Sequence, residues 1–148
     1  MSHVFVSKDT EQEMQESEVR TRVRYGETDQ MGVVYHSNYF LYFELGRTEY
    51  MRQRGYAYAD LERQGIFLAV VEANCKYKAG AKYDDPIIIR TSVGKTTNVT
   101  IMFQYQVFRE QDNVLLVEGS TTLACLNKDN RPQRIPEEIA RALAADKA

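Results

Sequence analysis

Ser37-Asn38-Tyr39-Phe40-Leu41-Tyr42-Phe43-Glu44-Leu45-Gly46-Arg47-Thr48-Glu49-Tyr50-Met51 is the stretch on which the fold turns. Tyr39, Phe40, Tyr42, Phe43, Leu45, Gly46, Tyr50 and Met51 recur at spacings of three and four, the period of an α-helix. Ser37 offers an N-cap hydroxyl and Gly55 a left-handed stop. The first two turns are apolar almost all round, which predicts a helix surrounded by protein.

The flanks read as β-structure. Val19-Arg20-Thr21-Arg22-Val23-Arg24-Tyr25 alternates like a strand with one wet face. A short helix over Tyr58–Gln64 ends at Gly65. In Phe67–Lys78, Ala69, Val71, Ala73, Cys75 and Tyr77 alternate with Glu72, Asn74, Lys76 and Lys78. Ile87–Val93, Val99–Val107 and Leu115–Leu126 follow, with turns at Lys95–Asn98 and Glu110–Asn113. Gly119, inside a strand, marks a close approach. Pro136 opens a terminal helix with Ile139 and Leu143 on its apolar side. Strand, helix, then four strands in hairpin succession predict an α+β layer fold in which the helix covers an antiparallel sheet. Residues 1–17, polar and rich in Glu and Gln, read as a flexible arm and not as a signal peptide; residues 18–148 form a single domain.

Composition excludes several classes of function. The chain has 148 residues, 43% hydrophobic and 27% charged, with a net charge of −2, so there is no overall basic field for nucleic acid. No apolar run reaches the ~20 residues of a membrane span. Two cysteines, Cys75 and Cys125, are too few for a disulfide scaffold, and two histidines argue against a multi-histidine metal centre. A reducing, cytoplasmic address fits. No G-x-S-x-G elbow, Walker loop or G-x-G-x-x-G is present.

Chemistry concentrates in Tyr25-Gly26-Glu27-Thr28-Asp29-Gln30-Met31-Gly32-Val33-Val34-Tyr35-His36-Ser37-Asn38-Tyr39. An acid and a histidine occupy a loop that runs into a helix N-terminus, whose unpaired N–H groups and dipole suit a developing oxyanion. Asp29 can be a turn carboxylate or a reactive one; His36 can be a packing residue or a catalytic one. Glu27 reads as a solvated charge. Glu44 and Glu49 on the helix are alternative acids.

The pattern aromatic, three residues, Asp, two residues, Gly-Val-Val-Tyr-His, then an aromatic-rich helix, resembles the signature of the 4-hydroxybenzoyl-CoA thioesterase family of hotdog-fold acyl-CoA thioesterases. Tyr83-Asp84-Asp85-Pro86 and Arg131-Pro132-Gln133-Arg134-Ile135-Pro136 extend the likeness over roughly residues 19–136. The resemblance implies a five-stranded antiparallel sheet wrapped around the long central helix. It also implies hydrolysis of an acyl-CoA to acid and CoA, with Asp29 as nucleophile or general base. The helix start near His36 would polarise the thioester carbonyl.

A thioester is already activated and a carboxylate is ionised at neutral pH, so no metal or cofactor is needed. Tyr35, Tyr39 and Phe43 are candidates for the acyl pocket, with core packing as their other reading. Lys95, Thr97, Arg131 and Arg134 are candidates for the coenzyme A phosphates. An acyl carrier protein substrate, or non-catalytic binding of an acyl thioester, are the alternatives. Homodimers, often paired into homotetramers, with sites between subunits, are implied by the same resemblance, and the long alternating strand Phe67–Lys78 is the pairing candidate.

Overall fold

The periodic stretch is a helix, α1 (Tyr39–Gln53), in the structure of residues 16–143, a computed structural model. A tight 3-10 turn over His36–Asn38 leads into it, so the chain is wound two residues earlier than a Ser37 cap would allow. Asn38 turns its side-chain amide away to the Glu27 carbonyl instead of capping. At the other end Gly55, at φ +93°, reverses the chain. Its N–H reaches the Arg52 carbonyl and that of Tyr56 reaches Met51, the paired bonds that close a helix around a left-handed glycine. α2 (Tyr58–Arg63) ends the same way at Gly65.

Five strands form one antiparallel sheet: β1 (Glu16–Arg22), β2 (Phe67–Tyr77), β3 (Pro86–Thr96), β4 (Thr100–Arg109) and β5 (Val114–Leu126). Their spatial order is β1-β3-β4-β5-β2. Only β3-β4-β5 is a run of hairpins; β2 and β3 are not neighbours, because β2 crosses to the far edge and pairs with β5. The succession of four hairpin strands expected from the sequence is corrected accordingly. β1 starts at Glu16, inside the segment expected as an arm, and ends at Arg22, where the chain bends into a 3-10 turn over Tyr25–Glu27. The rest of that arm lies outside the described residues.

One face of the sheet holds the core. Val19, Ile89, Val107 and Val117 make one row across it; Ser17, Thr91, Tyr105, Gly119 and Cys75 make the next. α1 crosses this second row at van der Waals distance because the residues at the crossing are small. A Cβ on Gly46 would overlap the Thr91 hydroxyl, and one on Gly119 would overlap the Asn74 carbonyl and come within 2.8 Å of the Phe43 ring. Phe43, fully buried, instead stacks on Tyr105 at 4.3 Å between centroids. Cutting such a ring back to Ala costs about 3–5 kcal/mol in a packed core. α3 (Glu137–Leu143) follows Pro136 and buries Ile139 and Leu143; the Leu143 carbonyl accepts the Tyr50 hydroxyl.

Two expectations fail for identifiable reasons. α1 is not enclosed all round, since the sheet covers one side and leaves Leu41 55% and Leu45 38% exposed. In β2 a bulge between Val70 and Glu72 flips the alternation, so Leu68 and Val70 face the same side as Ala73, Cys75 and Tyr77. β2 is nevertheless open to solvent over most of its length, with Val70 and Val71 about half exposed at the free edge of the sheet.

Candidate active site

The loop carrying Asp29 is a tight reversal. The Asp29 N–H donates to the Val33 carbonyl and the Gly32 N–H to the Asp29 carbonyl, with Gly32 at φ +82° in the region that favours glycine. Short bridges pair Thr28 with Val34 and Val33 with Lys82, pinning the loop to the segment that follows β2. Within it, one oxygen of the Asp29 carboxylate accepts the Met31 N–H at 2.9 Å. That local bond sets the carboxylate's direction while leaving its second oxygen available.

The helix mouth faces the same space. Asn38 donates its N–H to the Tyr35 carbonyl, and Tyr39 donates to His36 and Ser37, but the N–H groups of His36 and Ser37 meet no acceptor among the described residues. These are the orphan donors every helix start leaves. Asp29, His36 and Tyr39 share an open cleft of about 360 Å³ with Val33, Val34, Tyr77, Lys78, Ala79 and Gly80. The Tyr39 hydroxyl is buried without a hydrogen-bond partner, and burial pushes its pKa up to about 12, so it remains a neutral phenol. The His36 ring stands between two aromatic rings, 4.4 Å from Tyr35 and 6.2 Å, edge-on, from Tyr77.

The other named residues lie elsewhere. Tyr35, about half exposed, packs against the His36 ring but does not line the cleft; Phe43 is in the core. Glu49 is taken by Arg52 at 2.9 Å, and Glu44 is on the exposed side of α1. Glu27 is not a solvated charge: its carboxylate accepts the Tyr42 hydroxyl and the Arg24 N–H, each at 2.8 Å. Burial first, and this carboxylate second, hold the Tyr42 phenol far above its usual range.

Lys95 and Thr97 lie at the β3–β4 hairpin, against which the Arg131–Ile135 segment is laid by bonds such as Ile135 N–H to Asn98. This basic group is at the opposite end of the sheet from Asp29, separated by the length of β3, about 33 Å for its eleven residues. One chain does not bring the two together. Tyr77, Lys78, Ala79 and Gly80 are cleft residues the sequence reading missed. The signal was the small-residue run after the long strand: a Cβ on Gly80 would press within 3.1 Å of Val33.

A second hollow, of about 400 Å³, lies on the outer face of the sheet around Arg90, Glu118 and Lys76. Two of its charges are paired with residues outside the lining, Arg90 with Glu18 at 2.7 Å and Glu118 with Lys78 at 3.7 Å. Among the described residues no cluster of His, Cys, Asp and Glu could hold a metal ion, and no helix is long and apolar enough to cross a membrane.

Residues 23–143 match the family model for the thioesterase-like superfamily. The chain is 32% identical over 123 residues to the acyl-CoA thioesterase YbgC of Haemophilus influenzae, covering 82% of this chain and 89% of that one. Its fold superposes on the DHNA-CoA thioesterase of Staphylococcus aureus with a TM-score of 0.84, at 34% identity over 89% of this chain and 91% of that one. It superposes on a hypothetical protein of Thermus thermophilus with a TM-score of 0.82, at 41% identity over 88% and 96%. A helix-wrapping antiparallel sheet, the Asp29 loop at the helix mouth and these similarities together place the chain in the thioesterase-like superfamily of hotdog folds.

Proposed function

We propose that the protein hydrolyses an acyl-coenzyme A thioester in the Asp29 cleft. The observation that carries this reading is that the Asp29 carboxylate and the helix start at His36, whose N–H is unpaired, share one cleft. A thioester carbonyl seated there directs its oxygen to the helix mouth, where the N–H groups and the positive dipole end stabilise the oxyanion. Asp29 either attacks the carbonyl carbon, giving a mixed anhydride that water cleaves, or takes a proton from the attacking water. In both routes the C–S bond breaks, the thiolate leaves as coenzyme A and the acyl group leaves as a carboxylic acid.

The phosphates of coenzyme A need cations, and a second chain would supply them. β2 is a sheet edge, and antiparallel pairing with its own copy about a two-fold axis sets the partner's Phe67 end beside this chain's Tyr77 end. Asp29 of one chain then lies at the same end of the joined sheet as Lys95, Thr97, Arg131 and Arg134 of the other. On this reading the site is shared between two chains, which the separation of the two groups within one chain supports.

Release of free thiol, followed over a panel of aliphatic and aromatic acyl-CoAs, tests the reading. Turnover of at least one member well above its spontaneous hydrolysis is expected. Acyl-CoA binding with no thiol release would overturn it in favour of a non-catalytic binding domain.

A further inference from the structure

Tyr77 closes β2, opposite Val117 on β5, at the sheet edge nearest the helix mouth. Its hydroxyl donates to the His36 carbonyl at 2.9 Å, a bond spanning 41 residues of sequence. The same carbonyl accepts the first N–H of α1, from Tyr39. The Tyr77 ring is also packed edge-on against His36, 6.2 Å away, and Tyr39, 5.8 Å away. Half of Tyr77 is exposed, into the cleft that holds Asp29.

A peptide unit is planar and trans, so its C=O and N–H point in opposite directions and move as one rigid group. Fixing the His36 carbonyl therefore fixes the whole His36–Ser37 peptide, whose Ser37 N–H points away from the Tyr77 hydroxyl. It thereby steadies His36, which lines the cleft, and the adjoining peptide that carries the His36 N–H, because the two peptides share the His36 α-carbon. A carbonyl that accepts a hydrogen bond is further polarised, which makes the N–H of its own peptide a better donor. From this we infer that Tyr77 is a positioning residue for the oxyanion donor at the helix mouth, the His36 N–H. It acts through the His36–Ser37 peptide and not by touching the thioester, and the inference rests on the hydrolytic reading of the cleft. Because Tyr77 belongs to the edge strand, it also ties the direction of that donor to the strand that would pair with a second chain.

Tyr77→Phe tests this, since it keeps the ring packing and removes only the hydroxyl. The expected result is a five- to tenfold fall in kcat with KM changed less than twofold, because the donor acts most strongly on the charge of the transition state. Tyr77→Ala adds loss of the ring contacts and falls further. An independent readout is the exchange rate and ¹H–¹⁵N resonance of the Ser37 amide, which should shift in Tyr77→Phe while core amides such as Val107 stay in place. A kcat within twofold of the parent together with an unmoved Ser37 amide would overturn the inference and leave the hydrolase reading intact. A parent protein inactive on every acyl-CoA tested would overturn both.

Discussion

Replacing Asp29 by Asn separates the carboxylate's chemistry from its structural role. The side-chain oxygen that accepts the Met31 N–H survives as an amide oxygen, and the backbone bonds from Asp29 to Val33 and from Gly32 to Asp29 do not involve the side chain. The turn, and with it the melting temperature, should therefore be little changed. What is lost is the negative charge and the ability to attack or to accept a proton. A loss of at least ~100-fold in kcat follows, equal to about 2.7 kcal/mol of transition-state stabilisation. The assay is steady-state thiol release on the best acyl-CoA, with thermal unfolding run alongside. An Asn variant that keeps kcat within threefold of the parent would refute the reasoning, and Glu44 would then be the acid to examine.

His36→Ala should retain most activity if the backbone N–H is the donor, whereas His36→Pro, which removes that N–H, should abolish it; equal severe losses would point to the imidazole. The bond from Lys78 N–H to Leu116 fixes the direction of the β2 ladder, so the N–H of Ala73 points to the free edge. Ala73→Pro should accordingly dissociate a β2-paired dimer, seen by sedimentation, and lower activity with it; an unaltered dimer would exclude this edge. Gly119→Ala forces a methyl against the Asn74 carbonyl and the Phe43 ring and should destabilise the fold by about 1–3 kcal/mol in denaturant unfolding, with no change showing that α1 can move away.

Local chemistry made much of this architecture legible. The 3-4 spacing from Tyr39 to Met51, the stops at Gly55 and Gly65, and the close approach at Gly119 all express contacts or dihedral angles that a residue type nearly dictates. Long-range pairings were opaque. Nothing near Phe67 indicates that β2 would pair with β5, because the partners are tens of residues apart and the choice of edge is made by the path of the whole chain. The bulge at Val71 was hidden by an alternation that looks unbroken in sequence. Glu27 looked solvated because its partner Tyr42 lies fifteen residues on, across the turn into α1. Asp29 and His36 stand out as candidates because the loop motif is compact; Tyr77 does not, because its bond to His36 exists only once the sheet is assembled.

The central claim is that Asp29 of one chain works on a coenzyme A thioester held by the basic hairpin of the other, and mixed dimers test it most directly. Asp29→Asn and the triple variant Lys95→Ala, Arg131→Ala, Arg134→Ala, each poorly active alone, are co-expressed with different tags, and the mixed dimer is purified through both. In a shared site one of its two clefts combines an intact Asp29 with an intact basic group, so thiol release should return to about half that of the parent dimer. A mixed dimer no more active than the mean of its two parents would contradict the account.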